Sequence, residues 1–207
     1  MKIKDFFERY FYNSVKMFVR QIAISIFGLM IAIATSGTLS IITSAFAALF
    51  YLFLIYETAF STGSRDSTTL TIKPKLATGF YMSVVANALN IICALVIVVA
   101  TLIAPSGEGF AIISSSTAAT IFSVAENMMN GMYTGLLTLK IGGAVLNTVW
   151  LSYVAIILPA LIVSTIGYIF GLKDIRATSI LIPMTPEEEE RRREKKRKKY
   201  DDNNGES

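Results

Sequence analysis

The chain has 207 residues, of which 53% are hydrophobic and only 16% are charged, with a formal net charge of +4. Because an ordinary soluble domain is about one-quarter charged, this composition excludes a typical soluble fold and favours one membrane domain. Histidine is absent and Cys93 is the only cysteine, so we predict no internal disulfide, no catalytic residue, no metal site and no cofactor.

Residues 1–17 carry apolar and charged side chains on opposite faces of a predicted helix. Phe6, Tyr10 and Val15 recur at helical spacing on the apolar face. This pattern is typical of an amphipathic helix that lies in the headgroup plane of a bilayer. An equally good interpretation is that the segment extends the first span as one long helix. The sequence leaves both open.

The apolar run that follows is too long for one membrane crossing. It extends from residue 18 to residue 56, whereas about 20 residues span the hydrocarbon core. A polar cluster with a glycine at 35–38 interrupts it. We therefore predict a helical hairpin, with spans at 18–35 and 38–56.

The third span is predicted at 80–104, ending before a proline. Ser83, Asn87 and Asn90 are spaced i, i+4 and i+7 on it, so they share one face of a continuous helix. Buried amides need partners. The three side chains are therefore predicted either to hydrogen-bond another helix or to face a solute.

Residues 110–137 form the least regular part of the sequence. Eight apolar residues fall on one helical face, and Glu126, Asn127, Asn130 and Thr134 fall on the other. This predicts an amphipathic helix on the outer surface or a re-entrant segment packed between spans. If residues 110–137 cross the membrane twice, the chain has six spans instead of four, and both termini stay on the same side of the membrane.

The fourth span is predicted at 145–170. Pro159 lies inside it and predicts a kink. Gly167 and Gly171 form a small-xxx-small motif, which favours close helix packing. Residues 18–172 are thus predicted to be an all-α polytopic transmembrane helical bundle of four spans, possibly six.

Residues 173–207 are predicted to be a charged tail, partly helical and partly disordered. Glutamates precede arginines and lysines at i, i+4 spacing, which supports a solvated helix. A basic block could contact anionic lipid, namely Arg191, Arg192, Arg193, Lys195 and Lys196. No aromatic residue is interleaved with this block, so we expect no nucleic acid as a partner.

Basic residues flank the predicted spans on one side. Ten of them lie there even without the basic residues that follow Arg176, namely Lys2, Lys4, Arg9, Lys16, Arg20, Arg65, Lys73, Lys75, Lys173 and Arg176. The opposite side carries only Lys140. The positive-inside rule therefore predicts that both termini are cytoplasmic.

Three short segments resemble a pattern in uncharacterised bacterial multi-pass membrane proteins. They are 56–66, Gly79 with Ala86–Asn87, and 167–173. The resemblance implies the bacterial cytoplasmic membrane and brings no activity or functional residue with it.

No charged residue lies in the middle of a predicted span, and no catalytic motif is present. We therefore expect a non-enzymatic accessory subunit or scaffold that packs in the bilayer against other membrane subunits or copies of itself. The alternative is a channel or permease component for a neutral or weakly polar solute, with Ser83, Asn87 and Asn90 facing that solute.

Overall fold

The computed structural model describes residues 3–69, 75–104 and 112–175, together with Glu190 and Glu194. In chain order the elements are α1 (Ile3–Ala34), α2 (Gly37–Ser67), α3 (Thr78–Ala86), α4 (Ala88–Ile103), α5 (Thr117–Met129), a 3₁₀ turn (Gly131–Tyr133), α6 (Thr134–Leu137), β1 (Lys140–Ile141), β2 (Ala144–Val145), a 3₁₀ turn (Leu146–Thr148), α7 (Trp150–Ala155) and α8 (Leu158–Lys173). The predicted all-α class is confirmed.

Three stretches are long and apolar enough to cross a membrane, namely Phe6–Ala34, Gly37–Ser67 and Trp150–Lys173. The bent pair α3–α4 makes a fourth if it is counted as one span. These lengths and compositions are compatible with membrane-spanning helices.

The first two helices form the hairpin that the polar cluster at 35–38 predicts. α1 ends at Ala34 and α2 begins at Gly37, whose φ of +58° is a left-handed conformation that favours glycine. α1 is continuous for 32 residues, about 48 Å. The N-terminal segment therefore extends the first span as one long helix and does not form a separate interfacial helix.

The third predicted span is broken, and the prediction of one continuous helix over 80–104 was wrong. α3 and α4 meet at Asn87 with a bend of 67°. The Asn87 side chain donates from Nδ2 to the backbone oxygen of Ser83 at 3.0 Å. Asparagine competes in this way with regular helical hydrogen bonding, which favours a break at this residue.

The fourth predicted span is interrupted close to the predicted kink. α7 ends at Ala155, and Pro159 lies in the first turn of α8. Proline cannot donate to the carbonyl four residues earlier, and its ring crowds that carbonyl. Residues before Trp150 belong to the β1–β2 hairpin and a 3₁₀ turn, so the helical part begins later than the predicted residue 145.

The bundle is organised around close contact between α2 and α8. A Cβ atom added at Gly167 would lie 2.8 Å from the carbonyl oxygen of Tyr56, and one added at Gly171 would overlap the carbonyl of Phe60. Gly63 of α2 meets the carbonyl of Tyr168 in the same way. The glycines on both helices allow their backbones to touch, as in other tightly packed membrane helices.

We expect Gly171→Ala to destabilise the bundle by about 1–3 kcal/mol, because the new methyl group meets backbone atoms that cannot move aside. It would overlap the Phe60 carbonyl and lie 2.9 Å from the Ser64 amide nitrogen. Unfolding of the purified protein in mild detergent measures the effect. Ala23→Leu, on an exposed part of α1, is the control. Equal stability of the two variants would contradict the packing interpretation.

Candidate functional site

The segment from Thr117 to Leu137 folds back on itself beside the long helices. Ala118 lies against the end of α4 at Ala100 and Ile103, whereas Glu126 lies near Cys93. α5 therefore runs antiparallel to α4. The chain then turns at Asn130 and returns through α6, which packs on α2. We call residues 117–137 the helical hairpin insert.

The polar face of α5 points into the bundle and its apolar face points outward. Glu126 is fully buried and Asn130 is 2% exposed, whereas Val124 is 55% and Met128 is 63% exposed. An amphipathic helix on a water-facing surface has the opposite orientation. The inward polar face instead fits the re-entrant alternative, in which the outer face meets lipid.

The tip of the insert reaches deep along α1. The Ser25 hydroxyl donates to the carbonyl of Met129 at 2.5 Å. Gln21 Nε2 donates to Asn130 Oδ1 at 3.1 Å. Gln21 lies thirteen residues before Ala34, the end of α1, which is about 20 Å along the helix. Gly28 and Gly131 permit this approach, since a Cβ on Gly131 would lie 2.5 Å from the Ser25 carbonyl oxygen.

Three side chains meet at this tip and form the Gln21–Glu126–Asn130 cluster. Asn130 accepts from Gln21 through Oδ1 and donates from Nδ2 to Glu126 Oε1 at 3.1 Å. Gln21 Oε1 and Glu126 Oε2 are buried and have no hydrogen-bond partner among the described residues. Within residues 3–69, 75–104 and 112–175, no lysine or arginine forms an ion pair with Glu126. The cluster therefore presents buried acceptors and no balancing cation.

A second buried polar cluster surrounds the break between α3 and α4. Ser83, Asn87 and Asn90 are each 2% exposed or less. Asn87 Nδ2 bonds Ser83, and Asn90 Nδ2 donates to Asn87 Oδ1 at 3.1 Å. Asn90 Oδ1 has no protein partner. The three residues stay together as their spacing predicted, although the helix that carries them is broken.

Tyrosines connect the break with the hairpin insert. Tyr51 of α2 interacts with Asn87 and lies near Tyr133 of the insert. Both tyrosines are buried, and the Tyr133 hydroxyl has no protein partner. Polar groups therefore occur in the bundle interior from the insert to the break in the third span.

Asp66 is a second buried carboxylate, at the far end of α2. Its Oδ2 atom accepts from the Tyr10 hydroxyl at 2.7 Å and from the Tyr168 hydroxyl at 2.8 Å. It belongs to the last turn of a helix, not to a connecting loop. Asp66 joins α1, α2 and α8.

The basic residues of the tail that were predicted to contact lipid lie outside the described residues, namely Arg191, Arg192, Arg193, Lys195 and Lys196. Beyond Ile175, the described tail residues are Glu190 and Glu194, and both are helical. Across the described ranges, no group of three or more Cys, Asp or Glu side chains is arranged to hold a metal ion.

The sequence-based predictions missed Glu126 and Gln21 as interior groups. One available signal was the width of the two faces of α5, since a helix with a broad apolar face and a narrow polar one suits a position in which the polar face packs inside the bundle and the apolar face meets lipid. Another was that Gln21, Ser25 and Gly28 share one face of an otherwise apolar span. Polar and small residues on one face of such a helix indicate an interior contact.

Fold and site together define a helical protein with three helical stretches long and apolar enough to span a membrane, a bent helix pair, a helical hairpin insert and a buried carboxyl group. Comparison with protein-family models, with curated proteins and with solved structures found no match.

Proposed function

We propose that this protein is a permease component of the bacterial cytoplasmic membrane, with both termini in the cytoplasm. It moves a small polar solute, and uptake and release of a proton by Glu126 accompany that movement. The hairpin insert enters the membrane from the outer side and carries Glu126 into the bundle.

The observation that carries this proposal is the burial of Glu126 without a basic partner. An ionised carboxylate in such a place costs several kcal/mol unless a cation or proton accompanies it. Ionisable groups at membrane depth are rare and commonly mark proton or ion pathways. Glu126 therefore supplies the interior charge that the predicted spans lacked.

The broken third span supports the same proposal. Non-helical backbone at membrane depth requires polar partners, and discontinuous helices recur at the binding sites of transporters. Here the break at Asn87 places Ser83 and Asn90 in one buried cluster. Within the part of the chain that the structure describes, Asn90 Oδ1 and the Tyr133 hydroxyl have no hydrogen-bond partner, so both are available to a polar solute.

The accessory-subunit hypothesis loses one of the observations that motivated it, because Glu126 is an ionisable group in the interior. The small-residue motifs are also occupied within the chain itself. Gly131 and Gly135 contact the carbonyls of Ser25 and Ser40, while Gly167 and Gly171 contact α2. The hypothesis stays a prediction, and copurification of a stoichiometric partner would support it.

Proton movement in reconstituted vesicles tests the proposal. Vesicles hold purified protein and a pH-sensitive dye, and a potassium gradient with valinomycin makes the lumen negative. We expect the lumen to acidify faster than in protein-free vesicles when glycerol, urea or methylammonium is present as a test solute. Asn87→Leu should slow acidification because it removes the central amide of the break, whereas exposed Leu95→Ala on α4 should not.

A folded wild-type protein that moves neither protons nor any of the three test solutes would refute the permease proposal. Thermal unfolding of each variant before reconstitution separates a transport defect from a folding defect.

A further inference from the structure

A polar groove lies between α1 and α2 on the half of the hairpin farthest from its turn. Asn13 and Lys16 line it from α1, and Ser61 and Arg65 line it from α2. Buried Thr58 and Thr62 lie along its wall. The cavity volume is about 90 Å³, equal to about three water molecules at roughly 30 Å³ each, which is enough for a phosphate group.

The charge of this groove is positive. Glu57 also lines it, but its Oε2 atom pairs with Arg20 Nη1 at 2.7 Å. Arg20 also donates to the Leu54 carbonyl at 2.8 Å and to the Thr58 hydroxyl. That carboxylate is therefore neutralised at one end of the groove. Within the described ranges, neither Lys16 nor Arg65 forms an ion pair with a carboxylate.

The position of the groove along the helices matches the boundary of a bilayer. Lys16 lies eighteen residues before Ala34, the end of α1, which is about 27 Å along the helix. Arg65 lies twenty-eight residues after Gly37, the start of α2, which is about 42 Å. The hydrocarbon core of a bilayer is about 30 Å thick. If it begins at the α1–α2 turn, its other boundary lies between the level of Lys16 and the level of Arg65. The groove is then at the height of the phospholipid phosphates on the opposite side.

We infer that this groove binds the phosphate of an anionic phospholipid, such as phosphatidylglycerol. Lys16 and Arg65 supply the positive charge, and Arg65 can form two parallel hydrogen bonds to phosphate oxygens. Asn13 and Ser61 add neutral donors. Exposed apolar residues of the same helices, including Val19 and Phe53, accommodate the acyl chains. This site is separate from the Gln21–Glu126–Asn130 cluster and does not rest on the proposed transport function.

Native mass spectrometry of the full chain in detergent measures the binding directly. The protein is titrated with phosphatidylglycerol or with phosphatidylcholine, and the number of lipid molecules retained is counted. We expect stronger retention of phosphatidylglycerol. The double variant Lys16→Gln/Arg65→Gln should lower its affinity by about thirtyfold, since each of the two basic residues contributes on the order of 1 kcal/mol near the surface and about 1.4 kcal/mol is tenfold.

The matched control is Lys75→Gln/Lys173→Gln, which removes the same charge from two exposed positions outside the groove. It should retain phosphatidylglycerol as the wild type does. Three results would overturn the inference: an equal loss in both double variants, equal retention of the two lipids by the wild type, or full displacement of the lipid by millimolar inorganic phosphate. Ser61→Leu, which fills the groove without changing charge, should also reduce retention, and unchanged retention would count against the site.

Discussion

Glu126→Gln is expected to reduce proton movement in reconstituted vesicles to the level of protein-free vesicles. Glutamine has nearly the shape of glutamate and can still accept the hydrogen bond from Asn130, which is 3.1 Å long in the native protein. It cannot take up or release a proton. We therefore expect the free energy of unfolding to change by no more than about 1 kcal/mol while transport is lost. Glu126→Asp, which keeps the carboxyl group, should retain part of the activity.

Glu8→Gln provides the control for Glu126→Gln. Glu8 is exposed on α1 and pairs only with exposed Lys4 in the described part of the chain, at 3.8 Å, so its loss should leave transport unchanged. Infrared difference spectra between acid and alkaline pH give a second measurement, because the wild type should lose a protonated-carboxyl band that the Glu126→Gln variant lacks. If Glu126→Gln moved protons at the wild-type rate, Glu126 would be only a structural hydrogen-bond acceptor.

Asp66→Ala is expected to cause the largest loss of stability, on the order of 3–5 kcal/mol, because hydrogen bonds to a charged group contribute about 1.5–3 kcal/mol each. One carboxylate oxygen accepts from both Tyr10 and Tyr168. Removal of that oxygen leaves two buried hydroxyl groups without an acceptor. It also removes the hydrogen bonds that join α2 to α1 and to α8. Chemical unfolding in mixed detergent micelles measures the loss.

A double-mutant cycle distinguishes this network from a general packing effect. Tyr10→Phe and Tyr168→Phe should each destabilise the wild type by about 1.5–3 kcal/mol. In the Asp66→Ala background, each tyrosine substitution should leave the free energy of unfolding unchanged or raise it. The tyrosine hydroxyl has already lost its acceptor there, so its removal breaks no hydrogen bond. Tyr12→Phe, at a tyrosine that is 77% exposed, should be neutral throughout. Additive costs in the cycle would show that the hydroxyls do not act through Asp66.

The break at Asn87 shows where sequence periodicity becomes ambiguous. Residues 80–104 have the length and apolar composition of one span, and a continuous helix was the simplest prediction from them. Ser83, Asn87 and Asn90 lie close together in either a straight or a bent helix, so their spacing does not distinguish the two. The bend follows from local competition between the Asn87 side chain and the backbone, and α3 also packs closely on α8 at Gly79.

The orientation of α5 shows a different limit. Its two faces were identified correctly from the sequence, but the face that packs inward depends on what surrounds the helix. Water favours outward polar residues, whereas lipid favours outward apolar ones. Two hydrogen bonds to α1, from Gln21 and Ser25, hold the insert with Glu126 inside. Neither contact is visible in the sequence, because the partners are more than 100 residues apart.

The sequence by itself determined that the chain is helical, that its long helices are apolar enough to span a membrane, and where the α1–α2 hairpin turns. Those features depend on composition and local periodicity, which short stretches of sequence carry by themselves. Only the tertiary structure decided that Glu126 is buried, that Asp66 joins three helices, and that Lys16 and Arg65 share one groove. Those features depend on contacts between distant segments, which hydropathy does not encode.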